Sequence, residues 1–285
     1  MKVLIDFDLT NYNSYRIKAM CKKAYFPNTE EDVISFYKSI NSFVLLGSGH
    51  NVILSKDYYD TNFLIFNGNF QNSLIDSKTG IIEADAGITM LEISELALEN
   101  GLSGVEIFYD IPSSLGGAVV MNAGASGEEI KDVLVKVRYL DLEDMVVKEI
   151  KKADMGFEYR NSFFQRNTNK VILKVWLKLR SKSKVEIEQK MKLIKKQRWA
   201  KQPKEFPNAG SVFKRPKGYY VGAIMDDLEL KGYTIGGAMI SKKHGGFIIN
   251  HNNAKGQDII DIITEVKRRV MDKFNVDLEV EQRVI

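Results

Sequence analysis

After Thr29, apolar residues recur at helical spacing: Val33, Phe36, Tyr37 and Ile40 share one face, and Thr29 is a suitable cap. Ser42 to Leu46 reads as a buried strand that ends in Gly47-Ser48-Gly49. Asn51 to Ser55, Asn62 to Phe66 and Ile81 to Ala84 read as further strands. Thr89-Met90-Leu91-Glu92 has capping-box form, and the helix it opens closes at Asn100-Gly101. Val133 to Asp141 alternates, turns at Leu142-Glu143-Asp144 and returns through Met145 to Ile150. Val171 to Leu179 is a strong strand, and Ser181 to Trp199 a basic helix. An irregular stretch from Lys201 to Pro207 precedes a strand, a helix and another strand. The last helix, Asp258 to Phe274, puts Ile259, Ile262, Ile263, Val266, Val270 and Phe274 on one face. The pattern is α+β and predicts two domains, 1–182 and 183–285.

Composition narrows the class. The chain has 285 residues, 44% hydrophobic and 27% charged, as a globular protein would. No apolar run approaches the roughly 20 residues of a membrane span, and two acids within the first eight residues argue against a signal peptide. Cys21 is the single cysteine. A cytoplasmic enzyme with no membrane partner is therefore expected. His50, His244 and His251 form no metal-binding spacing, so no metal is expected. Residues 183 to 285 hold 20 Lys+Arg against 13 Asp+Glu, although the whole chain is only +4. That basic bias suits an anionic ligand, with a solvated helix face as the plain alternative. Nucleic acid is not expected, because the cations do not interleave with aromatics. A monomer is expected.

Two glycine-rich segments adjoin strands. One is Gly47-Ser48-Gly49-His50-Asn51; the other runs from Ile111-Pro112 through Gly116-Gly117-Ala118 to Asn122-Ala123-Gly124. Glycine lets a backbone approach a ligand and present N–H groups to a diphosphate. Neither segment fits a common nucleotide fingerprint, and spacing alone leaves tight turns as the simpler reading.

The motifs resemble those of the UDP-N-acetylenolpyruvoylglucosamine reductase family. Leu46 to Asn51 is similar to its L-G-x-G-S-N segment, and Gly101 to Glu106 with Ile111 to Gly127 is similar to its G-L-x-G-x-E and G-G-A…N-A-G-A stretches. Tyr159-Arg160-Asn161-Ser162, Ala209-Gly210-Ser211-Val212-Phe213-Lys214 and Leu278-Glu279-Val280-Glu281-Gln282-Arg283 extend the match in order, with Gln282 where the family has valine. The short distance from Arg160 to Ser211 resembles the family's shorter subtype. The resemblance implies a two-subdomain FAD-binding module of the vanillyl-alcohol-oxidase type, followed by a smaller α+β substrate-binding domain. It implies that Gly47, Ser48, Gly49, His50, Asn51, Ile111, Pro112, Gly116, Gly117, Ala118, Asn122 and Gly124 hold FAD. NADPH would reduce the flavin, which would reduce the enolpyruvyl group of a UDP-sugar. The resemblance assigns catalysis to Arg160, Ser211 and Glu281. Arg160 suits a developing enolate, because its fork grips a carboxylate. Ser211 matches the family's proton donor, and Glu279 is a rival to Glu281. Tyr159, Lys214, Arg215, Lys217 and Tyr233 are candidate substrate contacts.

Several family glycines are replaced: Lys18-Ala19, Asp85, Asp110 and Ser113 stand in such positions. A carboxylate aimed at a diphosphate would repel it. Two alternatives follow: a non-catalytic homologue without FAD that binds a nucleotide sugar, and a flavin-dependent oxidase of the same fold. His50 stands where the family has serine. It is a candidate for the covalent flavin bond of some related oxidases, or else for a hydrogen bond or a turn.

Overall fold

In a computed structural model, which describes residues 1–285, local sequence signals account for several helix starts. The Thr29 hydroxyl accepts from the Asp32 amide and starts α1, Glu30–Ser39. The capping box at Thr89 and Glu92 is complete and opens α2, Met90–Glu99; Gly101 follows at φ +63°. The second glycine segment contains a helix the pattern did not predict, α3, Leu115–Val120. Ser114 caps it, and Leu115, Gly116, Ala118 and Val119 are buried. Phe163–Arg166 forms α4 and Lys184–Lys201 forms α5.

The chain divides into two compact units that alternate along the sequence. Unit 1 comprises Met1–Leu4, Ala24–Ser48 and Phe63–Gln197; unit 2 comprises Ile5–Lys23, Gly49–Asn62 and Arg198–Ile285. The single cut expected at residue 182 therefore falls inside the longest segment of unit 1. The cause is α5. Ile187 and Met191 bury on unit 1, Ile194 packs on its core, and Lys190 pairs with Glu106 at 3.5 Å and Glu128 at 3.0 Å.

Unit 1 is built on an antiparallel sheet in the order Val146–Lys151, Leu134–Asp141, Lys170–Lys178, Ile81–Asp85, Ser73–Asp76. Ile82, Val137, Leu173, Val175 and Leu177 of this sheet share one buried cluster with Ile93 of α2 and Leu115 and Val119 of α3. That packing fixes the second glycine segment against the sheet. A four-stranded sheet runs in the order Lys2–Asp8, Met20–Phe26, Tyr58–Ile65, Phe43–Leu46; the first three strands contribute residues to both units.

Unit 2 contains α6, Val221–Asp227, an antiparallel sheet of Thr234–Ile235, Ala238–Ile240 and Ile248–Asn250, and α7, Gly256–Phe274. The apolar face of α7 is buried from Ile259 to Val270. Val52–Ile53 pairs in parallel with Arg283–Val284, and this is all that forms of the strand expected from Asn51 to Ser55. Its partner is itself only two residues long. No helix is long and apolar enough to cross a membrane.

Candidate active site

The two glycine segments meet in unit 1. The Ser114 amide donates to Ser48 Oγ at 2.9 Å, and a Cβ on Gly47 would lie 2.6 Å from Ser114 Oγ. A Cβ on Gly116 would lie 2.9 Å from Ala86 Cβ, and the Gly116 amide donates to Ala86 O at 2.8 Å. A larger residue at Gly47 would push the two segments apart, and one at Gly116 would push the second segment off Ala86. Gly117 is exposed, Ala118 is buried, and Pro112 is exposed beside half-buried Ile111. Ser113 Oγ is buried without a hydrogen bond. A buried hydroxyl lacking a partner is costly unless a ligand supplies one.

Asp85, one of the replaced glycines, does not bring a loose carboxylate to this place. Its Oδ2 accepts from Asn72 N at 3.0 Å and Asn72 Nδ2 at 2.8 Å. Burial pushes its carboxyl above the usual range, and the Asn72 bonds only partly counter that.

Further along unit 1, Asn122 and Gly124 are bound to the predicted catalytic arginine. Arg160 Nη1 donates to Asn122 O at 3.3 Å and Nη2 to Gly124 O at 2.7 Å. Arg160 sits at φ +53° in a tight turn closed by Glu158 and Asn161. Its guanidinium lies 5.3 Å from the ring centre of Tyr159, which is half exposed. Asn122 is fully buried; its Nδ2 donates to Glu158 O at 2.9 Å.

In unit 2, Gly49 is held by conformation and by space. Its φ is +70°, and an added Cβ would lie 2.0 Å from Tyr12 O. Gly49→Ala is expected to destabilise the protein by at least about 2 kcal/mol, from left-handed strain plus overlap. Urea unfolding would measure it, and an unchanged midpoint would refute the packing described. His50 follows, half buried. Asn51 Nδ2 donates to Glu281 O at 3.1 Å, and Asn51 O accepts from the Arg283 amide at 3.0 Å. Asn51, at the end of the first glycine segment, is thereby bound to the backbone of Glu281 and Arg283.

Ser211 and Glu281 are brought together. Ser211 bridges Phe247 on one side, and Phe213 bridges Val280 on the other. The Glu281 amide donates to Val212 O at 2.8 Å. Ser211 is exposed and Glu281 half buried. The rival Glu279 is engaged elsewhere, paired with Lys214 Nζ at 2.6 Å. The Arg215 guanidinium stacks 3.7 Å from the ring centre of Tyr220, and Lys217 is exposed. Tyr233 carries Arg269 over its ring at 4.9 Å. Sequence reasoning did not single out Tyr15, whose buried hydroxyl donates to Gln282 Oε1 at 2.9 Å. The replacement of valine by Gln282 was the available signal.

Comparison with known proteins settles the family. A model of the UDP-N-acetylenolpyruvoylglucosamine reductase C-terminal domain matches residues 202–285, and an FAD binding domain model matches 22–148. The reductase of Francisella tularensis is 40% identical over 97% of this chain and 98% of its own. The chain belongs to the UDP-N-acetylenolpyruvoylglucosamine reductase family. The reductase of Petrotoga mobilis is 38% identical over 97% of this chain and 92% of its own. A solved reductase structure from Thermus caldophilus covers 99% of this chain and 98% of its own, with 30% identity and a TM-score of 0.82. The expected α+β fold with an FAD module is that of this reductase family. Ser211 and Glu281 lie in the matched reductase domain, both glycine segments lie in the matched FAD domain, and Arg160 falls between the two. The residues present fit FAD. Gly47 and Gly116 let the backbone of the two segments pack closely, and Ser113 of the second segment offers a buried hydroxyl without a protein partner.

Proposed function

We propose that this chain reduces the enolpyruvyl group of UDP-N-acetylglucosamine enolpyruvate to the lactyl ether of UDP-N-acetylmuramate. Arg160, Ser211 and Glu281 would act on the substrate, with NADPH as reductant. FAD, held by the two glycine segments, would supply the hydride chemistry between NADPH and the substrate's double bond. Addition at the methylene carbon leaves negative charge spread over the neighbouring carbon and carboxylate. Arg160 stabilises that charge, because a guanidinium fork matches a carboxylate and is always protonated. Ser211 Oγ donates the proton that completes the lactyl carbon. The alkoxide left on Ser211 recovers its proton from solvent, and Glu281, on the adjacent segment, is the carboxyl placed to relay it. Arg215 and Lys217 would meet the diphosphate, Lys214 would join them on leaving Glu279, and Tyr159 and Tyr233 are candidate aromatic contacts of the substrate.

One observation carries the assignment of the proton donor. Exposed Ser211 lies one peptide from the carbonyl that receives the Glu281 amide at 2.8 Å. A hydroxyl is a weak acid and needs such a neighbour. Asp85 argues against a homologue that has lost its flavin, because its carboxylate is committed to Asn72. The substrates, a nucleotide sugar and NADPH, accord with a cytoplasmic enzyme. A visible spectrum of the purified protein tests the cycle. A flavin spectrum should bleach with NADPH and return anaerobically with the UDP-sugar. No flavin uptake from added FAD would rule the function out.

A further inference from the structure

A buried amide and a buried phenol each need partners, and in unit 2 they find one another. Tyr15 is fully buried and Gln282 is 4% exposed. Tyr15 donates to Gln282 Oε1 at 2.9 Å, which turns the Gln282 amide nitrogen toward the segment that carries Ser211. Nε2 lies 3.0 Å from Ala209 O and 3.4 Å from both Gly210 O and Ser211 O. Three successive carbonyls thus converge on one amide. They cannot be held by a regular ladder, because Gly210 is at φ +80° and Ser211 makes only an isolated bridge. Tyr15 is itself fixed: Asn250 Nδ2 donates to its carbonyl at 2.8 Å, and the Asn250 amide donates to Pro207 O at 2.8 Å. Gln282 also follows Glu281 directly in the chain.

We infer that Gln282 is a positioning residue, which holds the main chain of Ser211 and Glu281 in the geometry for proton donation. This rests on the reading of Ser211 as proton donor. A valine, the family's residue here, could make none of these bonds.

The prediction separates the two halves of the reaction in the FAD-loaded enzyme. In Gln282→Val, the substrate should reoxidise the reduced flavin about 10-fold more slowly, the scale of a displaced catalytic group. Bleaching by NADPH, which needs no proton from Ser211, should stay within about 2-fold. Gln282→Glu keeps an acceptor for Tyr15 but loses the amide donors, so it should behave like the valine variant. The solvent deuterium isotope effect on reoxidation should rise in both.

Gln282→Val strands the buried Tyr15 hydroxyl and is destabilised for that reason alone. The double variant Tyr15→Phe/Gln282→Val removes both polar groups and should recover thermal stability, and it carries the test if the single variant does not fold. Slow reoxidation in the stable double variant supports positioning. Parent-rate reoxidation there, or equal slowing of both halves, overturns it. Ser211→Ala at the parent rate would instead overturn the reading beneath the proposal, and the proposal with it.

Discussion

Ser211→Ala will slow the substrate-driven return of the flavin spectrum about 1000-fold, the middle of the range for a lost general acid. That factor is about 4 kcal/mol of barrier. The reduction of flavin by NADPH will be unchanged, because no atom of Ser211 takes part in it. The effect is large because the other candidate donors are poorly placed. Glu279 is paired with Lys214 at 2.6 Å, and no histidine lies within the Ala209–Lys214 or Leu278–Arg283 segments. The alanine variant should still bind the UDP-sugar, since the diphosphate contacts are untouched. Stopped-flow absorbance reads both halves on one sample. A parent-like return would mean that water or Glu281 supplies the proton, and it would remove Ser211 from the mechanism.

Glu106→Ala will cost about 3 kcal/mol of stability at neutral pH, the low end for breaking a buried charged pair. Glu106 is 1% exposed and sits where the resemblance placed the family's glutamate. It accepts from the Ser103 hydroxyl and from the Gly104 amide at 3.0 Å, and Lys190 of α5 stands 3.5 Å away. Lys190 is partly exposed, so most of the loss comes from the stranded donors rather than from Coulomb attraction. Burial raises the Glu106 carboxyl, but the bonds from Ser103 and Gly104 and the nearby lysine outweigh it, and the net shift is downward.

A depressed carboxyl contributes stability above its unfolded value of about 4.3 and loses it as pH falls through the lower folded value. The gap between parent and variant should therefore narrow only in acid. Urea unfolding at pH 7 and pH 3 measures it. A gap that stayed constant, or grew in acid, would contradict the assigned ionisation.

Elements with a single clear period were legible in the sequence. The α7 stripe from Ile259 to Val270 and the complete capping box at Thr89 read directly because burial and propensity agree there. The N-terminal strands were not seen. Lys2–Asp8 places Val3, Leu4 and Ile5 in a row and holds Asp6 at φ +49°, so its side chains do not alternate cleanly. Met20–Phe26 buries Cys21, Ala24 and Phe26, a spacing broken by Lys22 and Lys23. Helix α3 was hidden because Gly116 and Gly117 are poor helix formers, and only its cap and its packing on the sheet reveal it.

Within the site, Gly47, Arg160, Ser211 and Glu281 were accessible through motif order alone. Spacing did not suggest that Arg160 would bind Gly124 O, or that Asn51 would bind the Glu281 backbone, since those bonds join residues 36 and 230 positions apart. Lys214, a candidate substrate contact, pairs with Glu279 at 2.6 Å, which no local pattern foretold.

The alternation of the two units along the chain has a consequence for how the protein is made. Val52–Ile53 pairs with Arg283–Val284, and the Ser55 amide donates to Ile285 O. A ribosome adds about 5–20 residues per second. Val52, Ile53 and Ser55 therefore emerge and wait for on the order of 10–40 seconds before these C-terminal partners exist. Unit 1 has all its segments by Gln197. During synthesis the Val52–Ile53 edge of unit 2 is thus left unpaired until the chain is nearly finished, and it is there that a nascent-chain chaperone would find its grip.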